Sequence, residues 1–267
     1  MSKSMSEGIS LDWSCVDWDD PEGGLVQFLP FAPLVNYSEF HSDWHGLALM
    51  FSSEDPLLWI EQHDEEKKSP NVVRDATIAQ MGHSGKMVKE MALLERESIG
   101  CFPDPVPYYV FNHAKEKQRP IWYLEPDMDD EEWVEVVLKG VDLRTNFRNL
   151  LRSIGSTKKM MRIAKSIASE NKPSTDDSGY HIAASLSAAW WLVESSHLTD
   201  NLQEEINLRI ASRIRGSLSS LRVSLNGQID DEESMVLLVP VPQVRLPGVL
   251  KALNSLPDAE EMKQEEE

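Results

Sequence analysis

Apolar and polar positions alternate most regularly between Asp200 and Leu256, and the rest of the chain can be read outward from there. Leu202, Ile206, Ile210, Ile214, Leu218 and Leu221 recur every three or four residues, which places them on one face of a long helix. Thr199 and Asp200 suit its start, Glu204 and Glu205 its first turn, and Arg209, Arg213 and Arg215 follow as the helix dipole prefers. After Asn226-Gly227 and the acidic run Asp230 to Glu233, the unbroken apolar stretch Met235 to Val239 predicts a central strand covered on both faces. Pro247 then fits the first position of a closing helix that runs to Leu253. Helix, strand and helix form the closing unit of a layered α/β domain.

Upstream, Leu25 to Leu29 and Leu47 to Phe51 read as strands, and Ser52 to Pro56 as a helix start leading to Ile60. The charged stretch 61–70 predicts a surface turn. Met87, Val88, Met91, Leu94 and Ile99 allow a helix over 86–99, with a short strand over 91–94 as the alternative. The prolines at 103, 105 and 107 are expected to stop regular structure before a helix over 108–117 and a strand over 120–124. Three helical patterns follow at 131–153, 157–171 and 179–197. The predicted class is α/β: a central, mostly parallel sheet of about four to six strands, helices on both faces, and a helical insertion over 131–197. Residues 1–24 are expected to be a mobile acidic arm, or a segment pinned by Trp13 and Trp18. Residues 25–256 form the α/β domain, and 257–267 a disordered acidic tail.

Composition narrows the partners. The 267 residues carry a formal charge of −19, from 45 acidic against 26 basic residues. Such a surface repels nucleic acid and anionic membrane unless a local basic patch reverses it. With 41% hydrophobic residues and eight tryptophans the chain is globular. Cys15 and Cys101 make neither a disulfide framework nor a zinc ribbon. Residues 1–8 lack the apolar core of a signal peptide, and the longest near-apolar run, 182–193, is too short to span a bilayer. A cytoplasmic protein without a membrane partner is expected.

Candidate chemistry is sparse. His41 and His45 are four apart and could share a helix face around a divalent metal, with Glu54, His63 or Asp64 completing the set. Capping or packing accounts for them better, because zinc motifs show more ligands at fixed spacing, and His83 reads as a turn histidine. Glu125 and Asp127 lie where a strand should end, the edge at which ligands gather in α/β sheets, and Glu95 lies upstream. Charge segregation is the most unusual local feature. Between Leu143 and Ser169 no acidic residue occurs, while Arg144, Arg148, Arg152, Lys158, Lys159, Arg162 and Lys165 all do. On one continuous helix Arg144, Arg148 and Arg152 would present three guanidinium groups in a row, able to clamp phosphate or carboxylate. A merely solvated helix face is the competing account.

The order of elements resembles the superfamily that includes TraB/PrgY, Tiki, ChaN and erythromycin esterase-like proteins. Asn201 to Arg215 is similar to its late glutamate- and arginine-rich helix, Met235 to Leu253 to its final strand, turn and helix, and His113 to Asp127 to its helix–strand–aspartate unit. The resemblance implies acidic site positions at Asp127 and, if 91–94 is a strand rather than a helix, at Glu95. It also implies two GxxH motifs, but Phe51-Ser-Ser-Glu54 and Val239-Pro-Val-Pro-Gln243 stand in their places. The metal-binding histidines of the proteolytic members are therefore missing.

The reading that follows is a catalytically degenerate α/β protein, without a cofactor, that binds an anionic small ligand or an acidic protein segment through Arg144, Arg148 and Arg152. A metal-assisted hydrolase using Glu54, Glu95 and Asp127 with His41 or His45 is the alternative. A subunit of a larger assembly is the third.

Overall fold

The computed structural model describes residues 9–37, 43–80, 82–146, 149, 155–173, 175, 177–225 and 235–262. The chain is α/β, and its described residues include five strands in the order β1-β2-β5-β3-β4. These are β1 (Val16–Asp19), β2 (Leu25–Phe31), β3 (Gly46–Leu49), β4 (Ile121–Tyr123) and β5 (Val236–Pro242). The edge strand β1 runs antiparallel to β2, and the remaining pairs are parallel. The α-helices among the described residues are α1 (Asp55–Lys68), α2 (Val72–Ala79), α3 (Gly82–Ala92), α4 (Pro105–Glu116), α5 (Glu131–Thr145), α6 (Ser156–Glu170), α7 (Ser178–Glu194), α8 (Asp200–Ser224) and α9 (Leu246–Leu253).

The strand β5 is the keystone its composition predicts. Leu237, Val239 and Val241 enter the core shared with α8 and α9, while Leu238 packs with Trp59 of α1 and Val110 and Phe111 of α4 on the opposite face. Burial on both sides is what a continuous apolar run requires. Gly46 matters here, because a Cβ at that position would lie 2.8 Å from the Trp122 ring and 3.1 Å from Leu221. Pairing between β3 and β5 ends at Leu238, two residues before Pro240, which has no N–H to donate.

The helix α8 spans 25 residues, capped by the Thr199 hydroxyl, which accepts from the Leu202 amide. Of its apolar stripe, Leu202, Ile210, Ile214, Leu218 and Leu221 are buried as the periodicity predicts, and Ile206 is partly buried. A third core joins α3, α6 and α7 to Leu11, Trp13, Ala32 and Val35 beyond the end of β2. The helical insertion is therefore docked on the sheet through its own apolar faces.

Four local expectations change. The stretch 61–70 is mostly helix, since α1 continues to Lys68. Its run of Glu, Gln and Lys favours helix, and Lys67 and Lys68 suit the last turn. Pro105 and Pro107 begin α4 rather than block it, because amides of the first turn need no intrahelical partner. The helix α2 was not anticipated: the Glu66 carboxylate accepts from the Asn71 and Val73 amides and so fixes its start. The helix read as 131–153 ends at Thr145, where Asn146 leaves the helical region with ψ 136°.

The described parts of both end segments are fastened. Leu11 and Trp13 are buried, and the Trp18 indole donates to Asn254, so the described part of the N-terminal segment is pinned rather than mobile. In place of the expected disorder, residues 257–262 run along α8. The Glu260 amide donates to the Ser212 carbonyl, and Glu260 pairs with Arg209 and Arg213. Arg215 closes the arrangement. Its guanidinium, 7% exposed, holds the fully buried Asp20 carboxylate at 2.8 Å. Burial alone would raise the Asp20 carboxyl. Hydrogen bonds from Arg215 and the Glu22 amide, with the charges of Arg215 and Arg222, outweigh it and hold the group below its ordinary range.

Removing the Asp20 carboxylate leaves the buried Arg215 charge with only the exposed Glu22, so Asp20→Asn is expected to destabilise the fold by about 3 kcal/mol, the low end for breaking a buried pair. Urea denaturation of the variant against the parent chain at pH 7 measures it, and a loss below about 1 kcal/mol would show the pair to be peripheral.

Candidate functional site

The carboxyl ends of β3, β4 and β5 gather the sheet-edge residues. Beyond β3, the Ser52 amide and hydroxyl both donate to Asp55 Oδ2 at 2.8 Å, and the Ser53 hydroxyl donates to Asp127 Oδ1 at 2.8 Å. Glu54 and Asp127 thus reach one edge of the sheet, and both are exposed. Beyond β4, Glu125 faces Arg245, the residue ahead of α9, at 3.9 Å. The Arg245 guanidinium, 10% exposed, lies over the Trp191 ring at 5.1 Å. Burial pushes the Glu125 carboxyl up, with Arg245 opposing and Asp55 adding to the rise. Burial also pulls the Arg245 guanidinium down, against the pull of Glu125. At the neighbouring ends of β2 and β5, α7 seals the edge, leaving a void of only about 10 Å³ between Phe31, Ala184, Trp191 and Pro242.

Other predicted residues lie elsewhere. His45 stands at the opposite end of β3, where its Nδ1 accepts from the Val236 amide and its own amide donates to the Val236 carbonyl, so the strand pairing uses it. It is therefore separated from Glu54 by the length of the strand, and His41 lies outside the described residues. Among the described residues, no group of three His, Cys, Asp or Glu side chains could hold a metal ion. Glu95, in the left-handed region with φ 50°, lines a cleft of about 460 Å³ together with Glu66, Arg74, Arg96 and Cys101. Asp127 is not among that cleft's walls. Cys101 is no nucleophile at neutral pH: burial and the neighbouring Asp104 push its thiol up to about 11.

The helix that carries Arg144 ends at Thr145, before the second arginine of the row. Arg144 sits in the last turn of α5, and its guanidinium donates to Glu194 Oε2 at 2.9 Å. Arg148 and Arg152 lie outside the described residues. The basic character continues on α6. There Met160, Ala164 and Ile167 are buried, which turns Lys158, Arg162 and Lys165, two positions earlier in each case, to the opposite side. All three are exposed. Among the described residues, none of them pairs with an acidic group.

One cluster escapes a reading by local pattern altogether. His83, in the first turn of α3, engages Glu194 Oε1 through Nδ1 at 2.8 Å and the Ser156 hydroxyl through Nε2. These partners are 111 and 73 residues away, so no spacing rule connects them. The opening Gly-His-Ser-Gly of α3 was the only available signal, and it reads as a turn.

Compared with family models, with curated proteins and with solved structures, the chain matches none significantly. No helix among the described residues is long and apolar enough to cross a membrane.

Asp104, just before α4, supplies a pH test of these electrostatics. Burial pushes its carboxyl up to about 7 from 3.8, with the amides of Leu34 and Val106 opposing. A raised carboxyl pKa means that the folded state binds the proton more tightly. The group's contribution is therefore full below pH 3.8 and lost as the pH rises to about 7. Linkage over that interval sets an upper bound of about 4 kcal/mol. Asp104→Asn is expected to melt higher than the parent chain at pH 8, with the gap closing towards pH 4. Paired thermal melts across that range check it, and a gap independent of pH would refute it.

Proposed function

We propose that this chain is a binding protein, a TraB-like α/β scaffold without the paired GxxH motifs, that docks an acidic segment of a partner protein on the exposed face of α6. The observation that carries the reading is the row Lys158, Arg162 and Lys165, three solvent-facing cations of one sign on a chain of net charge −19. In contrast, Arg209, Arg213, Arg215 and Arg222 of α8 are all engaged by the protein's own carboxylates. The α6 cations span seven residues, about 10 Å of helix axis. They do not converge on a point, which suits an extended chain of carboxylates better than one small anion. A long nucleic-acid strand would meet the acidic remainder of the surface, and no aromatic residue of α6 is available for base stacking. Arg144, already held by Glu194, serves at most the end of this surface.

Exposed ion pairs contribute about 0.2–1 kcal/mol each. Loss of three such pairs amounts to about 0.6–3 kcal/mol and charge reversal adds repulsion, so the triple variant Lys158→Glu, Arg162→Glu, Lys165→Glu is expected to weaken binding of a fluorescein-labelled polyglutamate peptide by about tenfold. Fluorescence anisotropy at two salt concentrations measures this, and the parent affinity should fall with salt. Equal affinity of parent and variant, or binding insensitive to salt, would overturn the reading.

A further inference from the structure

The geometry points to a second activity, at the start of the same helix: Ser156, His83 and Glu194 form a serine-hydrolase triad whose substrate class is a carboxylic ester. Three helices bring the groups together. Ser156 is the first residue of α6, His83 the second of α3, and Glu194 the last of α7. Glu194 Oε1 lies 2.8 Å from His83 Nδ1, and Nε2 is paired with the Ser156 hydroxyl. An Nδ1–H given to the carboxylate leaves Nε2 bare, the tautomer that can take a proton from a hydroxyl.

The supporting contacts fix each member. Arg144 holds the other oxygen of Glu194 at 2.9 Å, which keeps Oε1 turned towards the imidazole. The Trp190 indole donates to the Ser84 hydroxyl at 3.1 Å, tying the start of α3 to α7 beside His83. Gly155 precedes Ser156 with φ +82°, and a Cβ there would meet nothing within 4 Å. The glycine is thus required by conformation and not by crowding, and it turns the chain so that a serine opens the helix. That position sets Ser156 beside first-turn amides and the positive end of the helix dipole, where developing oxyanion charge is stabilised. Ser156 is 8% exposed, and the side chains of His83 and Glu194 are 18% and 24% exposed, so the group is shielded without being sealed.

The reaction balances as an ester hydrolysis. Ser156 Oγ attacks the carbonyl carbon while Nε2 takes its proton. The ester C–O bond breaks, and the alcohol leaves with that proton. Water then attacks the acyl-serine, Nε2 takes the water proton, and the carboxylic acid is released as Ser156 recovers its hydrogen. One ester and one water give one acid and one alcohol, with no other reactant. A histidine that merely bridges two helices would leave Ser156 inert, and this separates the two accounts.

The test is labelling of the full chain with a fluorescent fluorophosphonate, together with turnover of p-nitrophenyl butyrate. The folded protein is expected to label on Ser156, located by peptide mass spectrometry. Ser156→Ala should abolish labelling. His83→Gln should lower the labelling rate by at least 100-fold, with thermal melts confirming that both variants fold. If Ser156→Ala does not fold, Ser156→Cys keeps a nucleophilic atom at the same position. Its thiol should then react with iodoacetamide at least tenfold faster than in the Ser156→Cys, His83→Gln double variant. No labelling of the folded parent chain, labelling on another residue, or a rate indifferent to His83 would overturn the proposal.

Discussion

The arrangement of the molecule depends on arginine side chains placed along one helix. The inner stripe of α8 packs on the sheet, while Arg209, Arg213, Arg215 and Arg222 on its other positions reach distant parts of the chain. Arg215 and Arg222 hold Asp20 and Glu22 in the turn between β1 and β2. Arg209 holds Asp130 and Glu132 at the start of α5, and Arg209 and Arg213 together hold Glu260. Arg213 also donates to the Tyr123 carbonyl at the end of β4. A guanidinium as buried as that of Arg215 is tolerated only when its charge is met, so α8 requires the turn that carries Asp20, and the partly exposed Arg209, Arg213 and Arg222 add further ion pairs to the same helix. Gly216 completes the fit, since a Cβ there would fall 1.9 Å from the Glu260 carbonyl oxygen.

This dependence explains what was legible in the residues beforehand. The stripe of α8, the apolar run of β5 and the start of α9 each carry a strong periodic or compositional signal, and all three lie where that signal places them. The arginines of α8 were visible as charges, but their partners were not, because Asp20 is 195 positions from Arg215 and nothing local marks the pair. The prolines of α4 mislead for a different reason: the same residue blocks a helix interior and begins a helix, and only position decides which. Spacing by four made Arg144, Arg148 and Arg152 look like one row, yet the backbone at Asn146 turns out of the helix before the second arginine. The cluster of His83, Ser156 and Glu194 is legible only once three helices are docked.

Charge is distributed with a purpose that composition alone conceals. Acidic residues exceed basic ones by 19, and the arginines of α8 are spent on internal attachments. What remains outward on α6 is a small region of opposite sign within a negative field, and such contrast orients an approaching acidic chain more than it strengthens the final contact. The same helix presents a hydroxyl at its first residue and cations on its outer side. Its buried face, Met160, Ala164 and Ile167, is what holds both in register.

The strand order has a kinetic consequence. Since β5 lies between β2 and β3, the early strands cannot complete the sheet among themselves. The pairing of Leu25 with Val236 closes a span of about two hundred residues, and loop closure of that size is slow to nucleate. Until β5 inserts, β2 and β3 each present an unpaired edge, and the apolar stripe of α8 has an incomplete surface to cover. A nascent chain would therefore carry two open strand edges through most of its synthesis. It would join them in one late, cooperative step, and exposure to aggregation is greatest just before that step.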